Sequence, residues 1–342
     1  MCIRDSANNA DALIGNYFGV SDKLTTFLEG FVNRVPAGVS IQYKQGVMID
    51  KSNTNPIDWT TGEGAKADAV IACIGLTWLL EGEEGEAIAS AQRGDMIDNS
   101  VPKAQIDFLV TLKKKLASQN KPLIVIVSGG CPVQLNLIRE IADALILAWY
   151  PGEAGGNAIA DIVLGNANPS GRTPVTFVKS LKQLPDFEDY SMKNRTYRYM
   201  TEEPLYPFGY GLSYSNFEYD ELYVPDKAKA GEEIVVGVTV SNTSCIAGEE
   251  VVQLYLTDDD ASVPVPVRQL AAFKRVFLNP GESKRMSLTI PVEKFSLITD
   301  KNRRKIESGY FTISVGGGQP VSKTKSYVTK KILLKGDKEL EL

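Results

Sequence analysis

Histidine is absent from this 342-residue chain. That gap excludes Ser-His-Asp and Cys-His catalysis, histidine-based zinc sites and the HExxH hydrolases together. Acid–base chemistry is left to Asp, Glu, Lys, Tyr or Cys. Cysteine is scarce: Cys2, Cys73, Cys131 and Cys245 are far apart and form no CxxC pair. Cys73 lies in the apolar run Ala69-Val-Ile-Ala-Cys-Ile74 and reads as a buried core thiol. No basic run is present to meet phosphates, and a net charge of −5 argues against a nucleic-acid partner. Apolar runs such as Leu123-Ile-Val-Ile-Val127 are short, well under the ~20 residues of a membrane span.

What is there is an ordinary globular composition, 43% hydrophobic and 23% charged. At about 100–200 residues per domain the length suggests two domains, large enough to fold without disulfide staples. The first six residues, Met1-Cys-Ile-Arg-Asp-Ser6, are not followed by the apolar core of a signal peptide. They resemble the translation of a transposon-end adapter used in DNA library preparation, so residues 1–6 are expected to be a non-native leader on a truncated reading frame. The chain then enters at Ala7-Asn-Asn-Ala-Asp11, which reads as the loop after a strand.

The next part alternates strands and helices. Val39 to Tyr43 is a short candidate strand, and Asp68 to Ile74 and Leu123 to Val127 are continuous apolar runs of the kind buried parallel strands need. Ile106, Leu109, Val110 and Leu116 recur at helical spacing after Pro102, with Lys113-Lys-Lys115 on the solvent side. Val133 to Glu140 continues as a helix, Ala144 to Ala148 is another strand, and a helix runs from Gly155-Gly156 to Leu164. This βαβ alternation predicts a parallel sheet covered by helices on both faces.

Proline and glycine then punctuate the chain, no strong helix fits between Arg172 and Ser213, and aromatics crowd residues 197–219. This reads as an ordered connector that packs by its rings, whose exposed members can stack on a pyranose. From Phe217 the period changes to two: Ile234, Val236, Val238 and Val240 share a face, as do Val252, Leu254 and Leu256, and Met286, Leu288 and Ile290. Turn signals at Lys229-Ala-Gly231, Asn279-Pro-Gly281 and Gly316-Gly-Gly318 separate these runs. The pattern is that of an antiparallel sandwich like an immunoglobulin or fibronectin type III domain.

The densest carboxylate cluster is Glu81-Gly-Glu-Glu-Gly-Glu86, a few residues after the strand Asp68–Ile74. Loops at the carboxyl ends of strands are where open α/β sheets bind ligands. Carboxylates held close together raise one another's proton affinity, as a general acid near neutral pH needs. A solvated acidic loop is the competing reading. Ser128-Gly-Gly130 and Gly152-Glu-Ala-Gly-Gly156 match neither GxGxxG nor a P-loop and read as structural turns.

Three ordered motifs, Gly165-Asn-Ala-Asn-Pro-Ser-Gly-Arg-Thr-Pro-Val-Thr-Phe177, Arg195-Thr-Tyr-Arg-Tyr199 and Pro204-Leu-Tyr-Pro-Phe-Gly-Tyr-Gly-Leu-Ser-Tyr214, resemble the signature of glycoside hydrolase family 3. Ala148-Trp-Tyr-Pro-Gly152 and Gly15-Asn-Tyr17 are similar to it as well, so the resemblance runs from about Ala7 to the C-terminus. It implies an α/β parallel-sheet sandwich domain followed by an all-β fibronectin type III-like sandwich, with the family's N-terminal (β/α)8 barrel missing. The expected division is 7–194 for the α/β domain, 195–216 for the aromatic connector, 217–335 for the β-sandwich and 336–342 for a tail.

Members of that family are retaining exo-acting β-glycosidases. The resemblance implies a β-linked oligosaccharide substrate, no cofactor or metal, and a periplasmic or secreted location. It implies a nucleophilic Asp on the barrel, absent from this chain, and a Glu acid/base in a Glu-x-Glu-type segment after a strand. Leu80-Glu-Gly-Glu-Glu84 is similar to that segment. Glu83 is the implied acid/base, with Glu84 and Glu81 as alternatives, and Asn16 and Tyr17 are implied to lie near the active-site mouth. Where the family often has Gly-Asp-Arg before a Leu-Pro-x-x-Gln helix start, this chain has Arg93-Gly-Asp-Met96 and Val101-Pro-Lys-Ala-Gln105. The functional expectation is thus a β-glucosidase or β-xylosidase piece that is inactive alone; the alternative is a non-catalytic two-domain module binding carbohydrate or protein.

Overall fold

The continuous apolar runs become the centre of a parallel sheet. The computed structural model describes residues 2–3, 5–16, 18–52, 59–81, 96, 98–321 and 326–341. Its strands β1 (Cys2–Ile3), β2 (Tyr43–Lys44), β3 (Val70–Gly75), β4 (Leu123–Ser128) and β5 (Ala144–Trp149) form one sheet in the order β2-β1-β3-β4-β5. Every pairing in it is parallel. In β3 and β4 five of six residues are buried, because both faces are covered and polar alternation has no place there. Cys2–Ile3, read from sequence as part of a leader, pairs with both neighbours; a backbone ladder asks nothing of side-chain identity. Because β1 is two residues long, β2 finds partners only at Tyr43 and Lys44, and the strand expected from Val39 is not extended.

Helices α1 (Phe27–Val32), α2 (Trp59–Gly64), α3 (Trp78–Glu81), α4 (Lys103–Ala117), α5 (Asn136–Ile141) and α6 (Gly155–Val163) connect these strands. Helix α4 buries Gln105, Leu109, Leu112 and Leu116 along one stripe. Helix α1 opens with a capping box between Thr26 and Glu29. It approaches α6 so closely that a Cβ on Gly30 would lie 2.0 Å from the Gly156 carbonyl oxygen, so this crossing requires glycine. Helix α5 starts at Asn136 rather than Val133. Asn99 accounts for the difference: its Nδ2 donates to the Pro132 carbonyl at 2.7 Å and its carbonyl accepts from the Gln134 N–H at 2.8 Å.

The chain divides into compact units 1–167 and 168–342. Residues 168–194, read from sequence with the α/β part, therefore group with the second unit. That unit pairs its strands in a five-stranded sheet, β10-β9-β14-β15-β7, a three-stranded sheet, β11-β8-β6, and a small sheet, β12-β13-β16. The long strands are β6 (Phe217–Tyr223), β8 (Ile234–Asn242), β9 (Gly248–Asp258), β10 (Gln269–Leu278), β11 (Ser283–Ile290), β14 (Gly309–Gly316) and β15 (Tyr327–Lys335). The short ones are β7 (Lys227–Lys229), β12 (Ser296–Ile298), β13 (Arg304–Ile306) and β16 (Lys338–Leu340). The alternating residues of β8, β9 and β11 meet in one core.

Strand β9 departs from strict alternation: Val251, Gln253 and Tyr255 are buried as well as Val252, Leu254 and Leu256. Its second face is covered by the aromatic connector. Tyr197 stacks on Phe208 with centroids 4.2 Å apart and meets Tyr255 edge-on, and Gln253 donates to the Gly209 carbonyl at 3.0 Å. Arg172 forms a buried ion pair with Glu250 at 2.6 Å. Asn168 donates to Ser215 Oγ and the Ala247 carbonyl and accepts from Ser213 Oγ and the Tyr214 N–H.

Candidate active site

The order β2-β1-β3-β4-β5 means that the chain leaves β1 toward one side and returns to β3 on the other. Loops leaving the carboxyl ends of β1 and β3 therefore diverge, and such a switch point is the general ligand site of open α/β sheets. The segment after β3 leads to the acidic cluster, of which Glu81 lies among the described residues. At its root, Gly75 has φ +125°, and a Cβ there would lie 1.9 Å from the Ser128 carbonyl oxygen. The buried side-chain amide of Gln105 closes on this residue from α4: Oε1 accepts from the Gly75 N–H and Nε2 donates to the Gly75 carbonyl, both at 2.9 Å. Nε2 also donates to the Ile49 carbonyl at 2.6 Å. The end of β3 is thus fixed to the helix behind it and to the loop after β2.

Glu81, the last residue of α3, turns back onto the ends of β4 and β5. Its Oε2 accepts from the Gly130 N–H at 2.8 Å and from the Tyr150 hydroxyl at 2.5 Å. The Gly-rich turn after β4 does bind an anion, and the anion is this carboxylate. The Cys131 thiol completes the cluster: burial, then the hydrogen bond to Glu81 and its charge, push its pKa far above the ordinary thiol value. The Tyr150 phenol is pushed up by burial first and by Glu81 second. Both groups therefore stay protonated as neutral donors, and Cys131 is held as a thiol rather than an activated nucleophile.

The loop after β1 joins the same cluster. Gly15 packs so tightly on the Tyr150 ring that a Cβ there would be 2.9 Å from Cδ2. Asn16 follows Gly15 in the chain. Trp78 Nε1 approaches Asp11 Oδ1 at 3.5 Å, and its ring lies 6.0 Å from that of Phe18. Of the residues singled out from sequence, Glu81 and Asn16 are placed, while Glu83, Glu84 and Tyr17 lie outside the described residues. Gln105 and Tyr150 entered the sequence reading only inside the motifs Val101–Gln105 and Ala148–Gly152, with no role given to either, and Cys131 was given none. A polar residue on an otherwise apolar helical stripe was a further signal for Gln105; the link of Tyr150 and Cys131 to Glu81 had none, since Glu81 lies far away in sequence.

Phe18, Val20, Met48 and Trp59 are large exposed apolar side chains on the segments that leave β1 and β2. Among the described residues, no group of three or more Cys, Asp or Glu is arranged to hold a metal, and no helix is long and apolar enough to cross a membrane.

Residues 3–214 match the Glycosyl hydrolase family 3 C-terminal domain, and residues 250–319 match a Fibronectin type III-like domain. A beta-xylosidase of Formosa agariphila is 30% identical over 320 residues, covering 92% of this chain and 42% of that protein. A periplasmic beta-glucosidase of Salmonella typhimurium is 32% identical over 332 residues, covering 87% of this chain and 42% of that protein. The crystal structure of a beta-glucosidase from Listeria innocua in complex with glucose shares the fold, with a TM-score of 0.81 at 24% identity over 98% of this chain and 45% of its own. The chain thus spans less than half the length of the relatives it matches. Its architecture is a parallel-sheet α/β domain followed by a fibronectin type III-like β-sandwich.

Proposed function

This chain belongs to glycosyl hydrolase family 3, and we propose that it is the acid/base-bearing part of a retaining exo-β-glycosidase acting on terminal β-linked glucose or xylose. Glu83 is the general acid/base in this reading, with Glu84 as the alternative. The nucleophilic Asp comes from a (β/α)8 barrel outside these 342 residues. In a retaining mechanism the two carboxyl groups stand roughly 5–5.5 Å apart: one attacks the anomeric carbon while the other protonates the leaving oxygen, then activates the water that releases the sugar. No metal or cofactor enters that scheme.

The observation that carries the reading is the fastening of Glu81. With one oxygen already engaged by Gly130 and Tyr150, Glu81 serves as an anchor. The carboxylates two and three residues later are the ones left for chemistry, and their loop starts from a fixed point at the strand ends. The exposed apolar side chains on the loops after β1 and β2 fit a surface that the barrel covers. Alone, the chain has no nucleophile and is inactive.

The test has two stages. The DNA upstream of the Met1 codon, read from long native molecules, should continue the frame into a barrel carrying an Asp nucleophile. A ribosome-binding site and true start at Met1 would overturn the reading and leave a non-catalytic module. In the barrel-containing enzyme, Glu83→Gln should lower kcat/KM by about 10²–10⁴-fold, least for aryl glycosides with good leaving groups. Unchanged kinetics would remove Glu83 from the role.

A further inference from the structure

Strand β10 lies at the edge of the five-stranded sheet and turns an unusual face to solvent. Val276 and Leu278 point into the core, whereas Phe273, Arg275 and Phe277 occupy the opposite face. Phe273 is 67% and Phe277 49% exposed. At a strand's rise the two rings stand about 13 Å apart. Between them lies a polar cluster: Arg275 Nη1 donates to Ser170 Oγ at 2.8 Å and to Glu249 Oε2 at 3.2 Å. Ser170 Oγ in turn donates to the same carboxylate oxygen at 3.4 Å.

Across the ladder, the partners of Phe273 and Arg275 are Gln253 and Val251, both buried. The connector covers that part of the sheet and reaches the start of β10, where the Tyr197 hydroxyl accepts from the Leu270 N–H, while Phe273 and Phe277 further along stay exposed. These rings do no work in the core, and a strand holds them in place without the ordering cost of a loop.

We infer that this face of β10 is a glycan-binding platform, with Phe273 and Phe277 stacking on sugar rings of a β-linked oligosaccharide laid along the strand. Arg275, Glu249 and Ser170 supply donors and acceptors to the hydroxyls between them. The pattern suits that ligand: a pyranose presents apolar C–H faces to the two rings and an equatorial belt of hydroxyls to the polar cluster. A protein partner would bury this central polar cluster and need to satisfy every group in it. The choice of glycan rests on the glycosidase reading above, but the site lies in the β-sandwich unit and uses none of the proposed catalytic residues.

The 342-residue chain is titrated with xylohexaose and with cellohexaose and followed by heteronuclear NMR. Saturable binding of at least one hexasaccharide is expected, weakened about tenfold by Phe273→Ala or Phe277→Ala. Tyrosine at either position should retain binding, because it keeps the ring. Leucine should lose it, because it keeps apolar bulk without a stacking face. Phe187→Ala removes another exposed ring of the same unit and should change nothing. Absence of saturable binding to either hexasaccharide, retention by the leucine variants or equal loss with Phe187→Ala would each overturn the platform. No hydrolysis is read, so failure here leaves Glu83 in its proposed role, and failure of Glu83 leaves this binding result standing.

Discussion

Two carboxylates in this molecule each meet a group far away in sequence, and by opposite means. Glu250, in the β-sandwich unit, is 1% exposed and meets the guanidinium of Arg172, itself 7% exposed; the Val251 N–H adds a further bond at 2.7 Å. Glu81, at the strand ends of the α/β unit, is half-buried and meets neutral donors, the Gly130 N–H, the Tyr150 hydroxyl and the Cys131 thiol. The first arrangement cancels charge inside a closed core and locks the connector to β9. The second sets a carboxyl group among neutral donors at the carboxyl end of a sheet, at the start of the acidic segment. A buried pair makes the loss of either partner costly, because the other charge is left uncompensated, whereas a carboxylate at a sheet's carboxyl end can shift the neutral titratable groups beside it, as Glu81 does for Cys131 and Tyr150.

The largest effect should come from breaking the first arrangement. Glu250→Gln strands a buried guanidinium and should cost about 3–5 kcal/mol in urea denaturation of the β-sandwich unit. The double variant Arg172→Met/Glu250→Met should recover most of that loss; if the double is as unstable as the single, the pair is not what holds the connector.

In the α/β unit the larger loss should follow Gln105→Leu, which leaves the Gly75 N–H and two carbonyls unpaired. We expect about 2–3 kcal/mol, with amide exchange at Gly75 speeding up in step. Tyr150→Phe removes one donor from Glu81 and should cost about 1 kcal/mol.

Glu81→Gln sharpens the contrast through a chemical readout. Removing the charge beside Cys131 lowers that thiol's pKa, so its alkylation should accelerate while that of the exposed Cys245 stays unchanged. An unchanged Cys131 rate would mean that Glu81 does not govern the cluster.

The smallest effect concerns Asp143, whose carboxyl is held below the ordinary value of 3.8 by Lys113 and then by the Leu123 N–H. A depressed folded pKa contributes stability above the unfolded value and loses it as pH falls through the folded one. Asp143→Asn should therefore destabilise at pH 7 by less than about 1 kcal/mol, the screened range of exposed pairs. The difference from wild type should vanish below the carboxylate range.

Much of the fold was legible because burial writes itself into residue order. Runs such as Leu123–Val127 are apolar throughout because both faces of β4 are covered, and β8 alternates because one face is not. The reading failed where pairing is decided by partners far along the chain. β2 is short because β1 is short, α5 starts late because Asn99 takes the backbone of residues 132 and 134, and β9 is buried on both faces because the connector returns over it. Residues 168–194 also find partners far along the chain: Asn168 and Arg172 meet Ser215 and Glu250, 47 and 78 residues on.

For the candidate site, the acidic segment and its position after a parallel strand could be read directly, since charge density and apolar runs are local properties. What separates Glu81 from its neighbours could not. Its partners Gly130 and Tyr150 lie 49 and 69 residues away, brought close only because parallel pairing aligns the carboxyl ends of β3, β4 and β5. By itself the sequence determined most of the strands and helices, where carboxylates crowd and that these 342 residues contain no histidine. Only the tertiary structure decided that Glu81 meets Gly130 and Tyr150 and which rings stay exposed on β10. Hydrogen bonding and exposure depend on which distant segments meet, and no single stretch of sequence contains that information.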